Sequence, residues 1–347
     1  MNKFIKGICD RVFKNCDVSE FKNKTILITG ANGLIGGFIA DFLHYLNTNH
    51  DYNIKIILTS LSKNPERLSH LLNKNNVIYI SKNLVKYDWS DFKYSVDYCL
   101  YCAGYAQPSK FLSNPSETFS LNNESLYCTF NNIFSNNKHA KSVFISSSEV
   151  YALNENVKAH EETDELNVSL NHKRISYILG KITGEHTINI MRDLGYEAKS
   201  TRVSLCYGPG HTSSDSRVMS DLTKKAMKND VIDLFDDGSS FRKYQHISDC
   251  CVMLFNILIR GKHSVYNIGG KEETTIYDLA KIIGNKFKKK VKKGKVNNDV
   301  ITSAPKKVWV SLDRYEQEFG VSDFMSLEDG MDNYLNWFIN KFVKQKD

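Results

Sequence analysis

The chain has 347 residues, of which 41% are hydrophobic and 24% are charged, a balance typical of a globular protein in water. No apolar run approaches the roughly 20 residues that cross a bilayer, and the N-terminus is too charged for a signal peptide. The eight cysteines lack the spacing of a disulfide framework, which predicts free thiols and a reducing, cytoplasmic location.

The first 22 residues predict a short helical extension that packs on the main domain, with Phe4, Ile5, Ile8 and Val12 on one face. Apolar strands and helical stretches then alternate. The predicted strands are 24–30, 54–60, 76–82, 97–104, 141–148 and 198–206, and the predicted helices are 34–47, 122–134 and 172–195. This alternation is typical of an α/β protein with a doubly wound parallel sheet of Rossmann type.

The regular alternation of strands and helices ends after Tyr207, where a loop-like stretch is followed by short predicted helices and strands. We therefore predict a dinucleotide-binding domain over 23–206 and a smaller, interleaved α/β substrate lobe over 207–347. Segments near 241–268 are expected to return to the first domain, with 244–249 and 265–270 revisiting its sheet.

The lysine-rich segment 286–295 supplies much of the formal net charge of +7. Phe287 is its single aromatic residue, and no nucleic-acid-binding motif accompanies it. We predict a solvated helix end and edge strand there, and no nucleic-acid partner. Cys99 and Cys102 lie in an apolar strand without a second pair at ligand spacing, so no metal site is predicted.

Three glycines, Gly30, Gly33 and Gly36, form a G-x-x-G-x-x-G motif between the first predicted strand and its helix. This context predicts a dinucleotide site, because glycines permit close backbone approach and the helix N-terminus offers N–H donors to a pyrophosphate. The residues of the same turn, Asn32, Leu34 and Ile35, are expected to contact the cofactor.

The end of the second predicted strand carries no acidic residue. Thr59 and Ser60 stand where NAD-binding folds place an acid on the ribose 2′-hydroxyl, and Lys63 follows. Hydroxyls and an ammonium can accept the 2′-phosphate that an acid would repel. NADP(H) is therefore favoured, and NAD(H) stays open as the alternative.

Tyr177 and Lys181 are spaced to share one face of a helix, and Ser147 ends the preceding strand. An ammonium near the phenol is expected to lower the tyrosine pKa, so that Tyr177 exchanges a proton with a sugar hydroxyl while a hydride moves at the adjacent carbon. Ser147 can hydrogen-bond the same hydroxyl, and Lys181 can also bind the nicotinamide ribose.

From about Lys22 onward, the chain resembles the extended short-chain dehydrogenase/reductase family of epimerase/dehydratase type, which modifies nucleotide sugars. The resemblance rests on TGANGLIGG, YCAGYAQP, SSSEVY, SYILGK, CYGPG, FRKYQHISD and YNIGG in family order. It implies a homodimer and a nucleotide-sugar substrate, with Ser147, Tyr177 and Lys181 as the catalytic triad. The implied cofactor contacts are Ala103 and Gly104 at the nicotinamide and Asn83 and Leu84 at the adenine.

The nearest local resemblance is to UDP-glucuronate decarboxylases, through SEVY, Arg174 and the GPG loop with Arg217. The implied substrate contacts are Gln107, Ser148, Arg174, Arg217 and Arg242, the last at the diphosphate. Glu149 is either a structural carboxylate or an acid or base near the sugar.

Departures from the family pattern point to a changed substrate: Leu205 replaces an asparagine, Phe111 a tyrosine and Ala152 a glycine. The missing ribose acid favours a 4-ketoreductase of deoxysugar or surface-polysaccharide precursor synthesis that consumes NADPH. A decarboxylase or 4-epimerase with tightly bound NAD is the alternative. A 4,6-dehydratase is disfavoured, because Ser148 stands where its aspartate would. A non-catalytic dinucleotide-binding sensor is the remaining hypothesis. The intact triad argues against it, because a sensor need not preserve these three residues.

Overall fold

The structure is a computed structural model that describes residues 2–154, 158–212, 215–294, 309–321 and 323–342. Within these residues, seven parallel strands form the central sheet, namely β1 (Thr25–Thr29), β2 (Lys55–Ser60), β3 (Val77–Ser81), β4 (Tyr98–Tyr101), β5 (Lys141–Ser147), β6 (Glu197–Val203) and β11 (Val265–Ile268). Their order across the sheet is β11-β6-β5-β4-β1-β2-β3. The predicted doubly wound α/β fold is confirmed.

Helices cover both faces of this sheet, which explains the apolar runs in its strands. They are α2 (Leu34–Asn49), α3 (Pro108–Ser113), α4 (Pro115–Asn122), α5 (Glu124–Asn136), α6 (Ile175–Asp193) and α8 (Ile247–Arg260). The N-terminal α1 (Lys3–Asn15) buries Ile5, Ile8, Cys9 and Val12 and packs against α8 and α2. α1 is thus the amphipathic extension that the sequence predicted.

The C-terminal part adds a smaller layer of short elements. They are β7 (Cys206–Tyr207), α7 (Val218–Lys228), β8 (Val231–Asp233), β9 (Phe241–Lys243), β10 (Gln245–His246), β12 (Glu273–Thr275), α9 (Ile276–Phe287), β13 (Lys290–Lys292), α10 (Asp313–Phe319) and α11 (Leu327–Phe342). In the described chain, these strands pair as β10-β7, β12-β9 and β13-β8. The predicted helix end and edge strand in the lysine-rich segment are α9 and β13, and Lys295 lies outside the described residues.

Only one of the two segments expected to return to the main sheet does so. β11 pairs with β6, whereas residues 244–249 contribute β10, which pairs with β7 in a separate ribbon. The expectation for 244–249 is wrong because β5 and β11 already occupy both sides of β6. All eight cysteines are free thiols. No helix in the described ranges is long and apolar enough to cross a membrane.

Candidate active site

The predicted phosphate-binding glycines lie in the turn between β1 and α2. Gly30 has a φ of 63°, and a Cβ there would lie 2.6 Å from the carbonyl oxygen of Cys102. A Cβ on Gly36 would lie 2.8 Å from the Gly30 carbonyl oxygen. Side chains are therefore excluded at both positions. Gly33 is the N-cap of α2 and has no side chain to cap it, so the first N–H groups of the helix are available to an anion.

Polar side chains predicted to contact the cofactor surround this turn. The Asn32 Oδ1 and Thr59 Oγ1 atoms are buried and have no hydrogen-bond partner among the described residues. The Ser60 hydroxyl lies 2.6 Å from that of Tyr79, and the Lys63 side chain is exposed. The end of β2 thus presents hydroxyls and one ammonium, without a carboxylate of its own.

The remaining predicted cofactor residues lie along the same edge of the sheet. They are Leu34 and Ile35 in the first turn of α2, Asn83 and Leu84 after β3, and Ala103 and Gly104 after β4. The Asn83 side chain accepts a hydrogen bond from the Val85 N–H at 3.1 Å, and the Ala103 N–H donates to Thr29 Oγ1 at 3.2 Å. Because the strand order reverses between β1 and β4, these residues border the crevice where doubly wound folds bind ligands.

Arg67 also borders this crevice, although no motif in the sequence pointed to it. Its guanidinium forms a buried ion pair with Asp41 of α2, and His70 Nε2 lies 2.7 Å from the other oxygen of that carboxylate. Cβ atoms built on Gly37 and Gly210 would each lie 3.2 Å from Arg67 Nε. Arg67 therefore connects the first turns of α2 to the loop that follows β7.

Helix α6 brings Tyr177 and Lys181 against β5. The two residues lie one turn apart and are 7% and 5% exposed. Closer to the end of the helix, a Cβ on Gly184 would lie 2.7 Å from the Phe144 ring and 2.8 Å from the Asn122 carbonyl oxygen. Glycine at this position lets α6 approach both β5 and α4, and this close packing fixes the height of the Tyr177–Lys181 pair above the sheet.

The pKa of Tyr177 is shifted in the direction opposite to the one predicted from the sequence. Burial raises it to about 12, the Glu149 carboxylate acts in the same direction, and the hydrogen bond with Ser147 opposes both. The predicted lowering by Lys181 is therefore wrong for this structure, because desolvation of the phenol outweighs it. A phenol with this pKa is protonated at neutral pH and can donate its proton.

Lys181 is held by the main chain of β5. Its Nζ donates a hydrogen bond to the Ile145 carbonyl oxygen at 2.7 Å and lies 4.7 Å from the Phe144 ring centroid and 5.7 Å from that of Tyr177. A Cβ on Gly104 would lie 3.7 Å from Nζ, so the side chain reaches the predicted nicotinamide side. Burial lowers the pKa of Lys181 to about 7.

Phe111 is a part of this site whose role the sequence did not predict beyond its departure from the family pattern. Its ring is 2% exposed and stacks on the Tyr177 ring, with centroids 4.6 Å apart and planes at 13°. The Arg174 guanidinium lies 5.2 Å from the Phe111 centroid. Phe111 thus fixes the orientation of the phenol from α3, in the manner of stacked aromatic and cation–π pairs.

Glu149 lies in the turn directly after β5. Its N–H donates to Ser147 Oγ at 3.2 Å, and its Oε1 forms an ion pair with Arg174. The Oε2 atom is buried without a hydrogen-bond partner in the described part of the chain. Burial raises the pKa of Glu149, while the charges of Arg174 and Arg242 oppose the rise. One carboxylate oxygen is therefore left for a ligand.

A cavity of about 310 Å³ opens beside Glu149, between the main sheet and the C-terminal layer. Its wall includes the predicted substrate residues Ser148, Arg174, Arg217 and Arg242. The Arg217 Nε lies 3.2 and 3.1 Å from the two carboxylate oxygens of Asp215, which orients its guanidinium. Gln107 is not part of this wall, but its Oε1 lies 3.5 Å from the hydroxyl of Ser216, which is.

Apolar side chains form another part of the cavity wall, namely Ala106, Ala152, Leu205, Val218 and Met219. Two of the family departures, Ala152 and Leu205, are among them. The cavity therefore combines arginines, which suit phosphate oxygens, with an apolar compartment.

The residues present fit a nicotinamide dinucleotide. Cβ atoms would fill the turn between β1 and α2, the N-terminus of α2 is open, and buried Asn32 and Thr59 atoms lack partners among the described residues. A doubly wound sheet with this turn and with a Tyr-x-x-x-Lys helix beside β5 defines a dinucleotide-binding protein of the short-chain dehydrogenase/reductase class.

Comparison with known proteins places the chain within that class. The model of the NAD dependent epimerase/dehydratase family matches residues 26–269. The chain therefore belongs to this family of NAD-dependent enzymes, and the resemblance predicted from the sequence is confirmed.

Two curated relatives represent different reactions. The dTDP-4-dehydro-6-deoxy-D-allose reductase of a Streptomyces species is 27% identical over 274 residues, which cover 76% of this chain and 81% of the relative. The UDP-glucuronic acid decarboxylase 1 of Danio rerio is 25% identical over 270 residues, covering 77% of this chain and 61% of the relative. A solved dTDP-glucose 4,6-dehydratase of Streptomyces venezuelae has the same fold, with a TM-score of 0.77 and 18% identity over 91% of this chain and 97% of its own.

Proposed function

We propose that this protein is a nucleotide-sugar 4-ketoreductase of deoxysugar or surface-polysaccharide precursor synthesis that uses NADPH. The observation that carries the proposal is the buried Tyr177 phenol, which is hydrogen-bonded to Ser147, stacked on Phe111 and placed beside Lys181. A protonated phenol suits the reduction of a ketone, because the alkoxide that forms at carbon 4 needs a proton. The similarity to a dTDP-4-dehydro-6-deoxy-D-allose reductase supports the same reaction class.

The roles of the site residues follow from this proposal. When bound beside Lys181 and Gly104, NADPH would supply the hydride that carbon 4 receives. Tyr177 gives its phenolic proton to the oxygen at carbon 4, and Ser147 donates a hydrogen bond to that oxygen. Lys181 contacts the nicotinamide ribose from α6, where its Nζ is held by the Ile145 carbonyl oxygen of β5. The guanidinium groups of Arg217 and Arg242 bind the diphosphate, since guanidinium is well suited to phosphate oxygens.

Turnover on a defined panel tests the proposal. The purified protein is mixed with NADPH and UDP-, dTDP-, GDP- and CDP-linked 4-keto-6-deoxyhexoses, and NADPH oxidation is followed. We expect oxidation with at least one sugar, and loss of most turnover in Tyr177→Phe with NADPH binding retained. A wild-type protein that oxidises NADPH with no sugar of the panel would contradict the proposal. A Phe variant that keeps full turnover would contradict the role of Tyr177.

The preference for NADP(H) is a separate proposal, which rests on Thr59, Ser60 and the exposed Lys63 at the end of β2. If Lys63 contacts the 2′-phosphate, Lys63→Ala weakens binding of NADPH and leaves binding of NADH unchanged. Lys55→Ala, at the exposed start of the same strand, is the matched control. Equal loss of both dinucleotides, or tighter binding of NADH by the wild type, would contradict the preference.

A decarboxylase or 4-epimerase with tightly bound NAD is the second candidate. It is favoured by Glu149, whose Oε2 is buried without a partner in the described ranges and is available as an acid or base. The similarity to a UDP-glucuronic acid decarboxylase points in the same direction. Release and identification of the co-purifying dinucleotide separates the candidates, since tightly bound NAD without NADPH consumption favours this one.

Quaternary structure and location are further parts of the proposal. Phe119, Tyr127 and Ile190 are large side chains of α4, α5 and α6 that are 38% to 44% exposed, which supports a homodimer through these helices. Tyr127→Glu should then reduce the particle mass measured by light scattering.

We also propose that the chain is divided into an N-terminal extension, a dinucleotide-binding domain over 23–206 and a substrate lobe. A cytoplasmic location is proposed as well, because it suits eight free thiols.

A further inference from the structure

His160 is a buried polar residue of the cavity wall that the proposed reaction does not use. It is 5% exposed, and its main chain is fixed on two sides. The His160 N–H donates to the Trp309 carbonyl oxygen at 3.0 Å, and the His160 carbonyl oxygen accepts from the Ser311 N–H at 2.7 Å and from Asn267 Nδ2 at 2.9 Å. The position of this histidine in the wall is therefore set by three hydrogen bonds.

The His160 side chain is held as firmly as its backbone. Its ring stacks on Tyr151, with centroids 4.6 Å apart and planes at 9°, and its Nδ1 lies 3.0 Å from Asp164 Oδ2. The Asp164 carboxylate also accepts from the Glu161 N–H at 3.2 Å. An ionised carboxylate only accepts hydrogen bonds, so Nδ1 carries the proton in the neutral ring. Nε2 is then left with a lone pair.

This Nε2 atom has no hydrogen-bond partner among the residues that the structure describes, although it is buried. Buried polar atoms are nearly always satisfied, by protein or by a ligand. We propose that His160 is a substrate-contacting residue whose Nε2 accepts a hydrogen bond from a hydroxyl of the sugar. This proposal rests on the proposed function only in taking the ligand to be a nucleotide sugar.

The chemistry of the cavity assigns the contact to the sugar rather than to the diphosphate. Phosphate oxygens are acceptors and would meet a lone pair at Nε2, whereas a sugar hydroxyl can donate to it. The arginines of the same wall suit the diphosphate. His160 and Tyr151, on which it stacks, line the same cavity as Glu149, the carboxylate that is the candidate acid or base for the sugar.

Calorimetric binding tests this contact without requiring turnover. The probes are UDP-glucose against UDP, and dTDP-glucose against dTDP, so that each pair differs only in the sugar. His160→Leu removes the acceptor, His160→Gln keeps a polar group that can hydrogen-bond, and His139→Leu is the control at an exposed, distant histidine. For His160→Leu we expect affinity for the nucleotide sugar to fall about fivefold to twentyfold, as for loss of one hydrogen bond. Affinity for the nucleoside diphosphate should stay unchanged, and His160→Gln should retain most of the sugar affinity.

A ring-nitrogen NMR measurement on the unaltered protein provides a second readout that no folding defect can affect. The Nε2 signal of His160, assigned by its loss in His160→Gln, should shift when the nucleotide sugar is added and stay in place with the nucleoside diphosphate. The proposed contact would be overturned if His160→Leu weakened the binding of the nucleotide sugar and of the nucleoside diphosphate equally. It would also be overturned if the Nε2 signal did not shift when the nucleotide sugar was added. Sugar-dependent binding without NADPH oxidation would instead refute the ketoreductase and leave the contact standing.

Discussion

Replacing Lys181 by methionine should change how the stability of this protein depends on pH. The lysine is 5% exposed, and its Nζ has a carbonyl oxygen as its hydrogen-bond partner and aromatic rings nearby. Burial lowers its pKa from the ordinary value of 10.5 to about 7. The charged form of Lys181 is therefore less stable in the folded protein than in the unfolded chain.

The sign and size of the effect follow from proton linkage. The folded pKa lies below the unfolded value, so between these two values the unfolded chain binds more protons and the free energy of unfolding rises with pH. From about pH 6 to about pH 9 the two pKa values give a rise of roughly 2–3 kcal/mol from this one group, at about 1.36 kcal/mol per pKa unit. Lys181→Met lacks this contribution, because methionine does not titrate.

Chemical unfolding at several pH values, followed by tryptophan fluorescence, measures the effect as the difference between wild type and variant. We expect Lys181→Met to be stabilised relative to the wild type most at low pH, with the advantage shrinking by roughly 2–3 kcal/mol by about pH 9. Lys110→Met, at an exposed position of α3, controls for the loss of a charge. A difference that stays constant across this pH range would refute the argument that burial sets the pKa of Lys181.

Three other substitutions test the packing around the site. Phe111→Ala removes the ring stacked on Tyr177 and should lower the free energy of unfolding by about 3–5 kcal/mol and reduce kcat, whereas Phe111→Tyr keeps the stack. An alanine variant with unchanged kcat would show that the stack does not position the phenol. Arg202 of β6 forms a buried ion pair with Glu185 of α6, with Nη2 and Oε2 2.8 Å apart. Arg202→Met leaves the Glu185 carboxylate without its cation and should lower the free energy of unfolding, measured by chemical unfolding, by about 3–5 kcal/mol. Adding Glu185→Met should recover part of the lost stability, because the second change removes the uncompensated carboxylate. If no stability is recovered, the buried charge is not the cause of the loss. Gly36→Ala puts a methyl group 2.8 Å from the Gly30 carbonyl oxygen and should weaken NADPH binding about tenfold or more in a fluorescence titration. Unchanged affinity would show that this turn does not contact the cofactor.

Much of the main sheet could be predicted from the sequence, because strands covered on both faces leave apolar runs that are interrupted by glycine-rich or polar turns. The turn around Gly30 was predictable for a different reason, because the glycine motif and its flanking strand and helix are contiguous in sequence. The Tyr177–Lys181 pair was predictable because the spacing of a helix places both side chains on one face.

The features that the sequence did not predict depend on contacts between distant segments. Phe111 and Tyr177 stack although 66 positions separate them, and no local pattern signals the contact. The placement of residues 244–249 beside β7 depended on which strand occupied the free side of β6. The role of Arg67 depended on the approach of the Gly210 loop to α2, which the sequence does not encode in any spacing.

The pKa of Tyr177 shows most clearly what a motif leaves out. Spacing predicted an ammonium beside a phenol, and the structure has both groups, but burial acts on each of them more strongly than they act on each other. It raises the pKa of Tyr177 and lowers that of Lys181, so both groups are driven toward their uncharged forms. An uncharged phenol is the form that gives a proton to the oxygen at carbon 4 when a ketone there is reduced. Burial therefore acts in the direction opposite to the predicted activation of Tyr177 by Lys181.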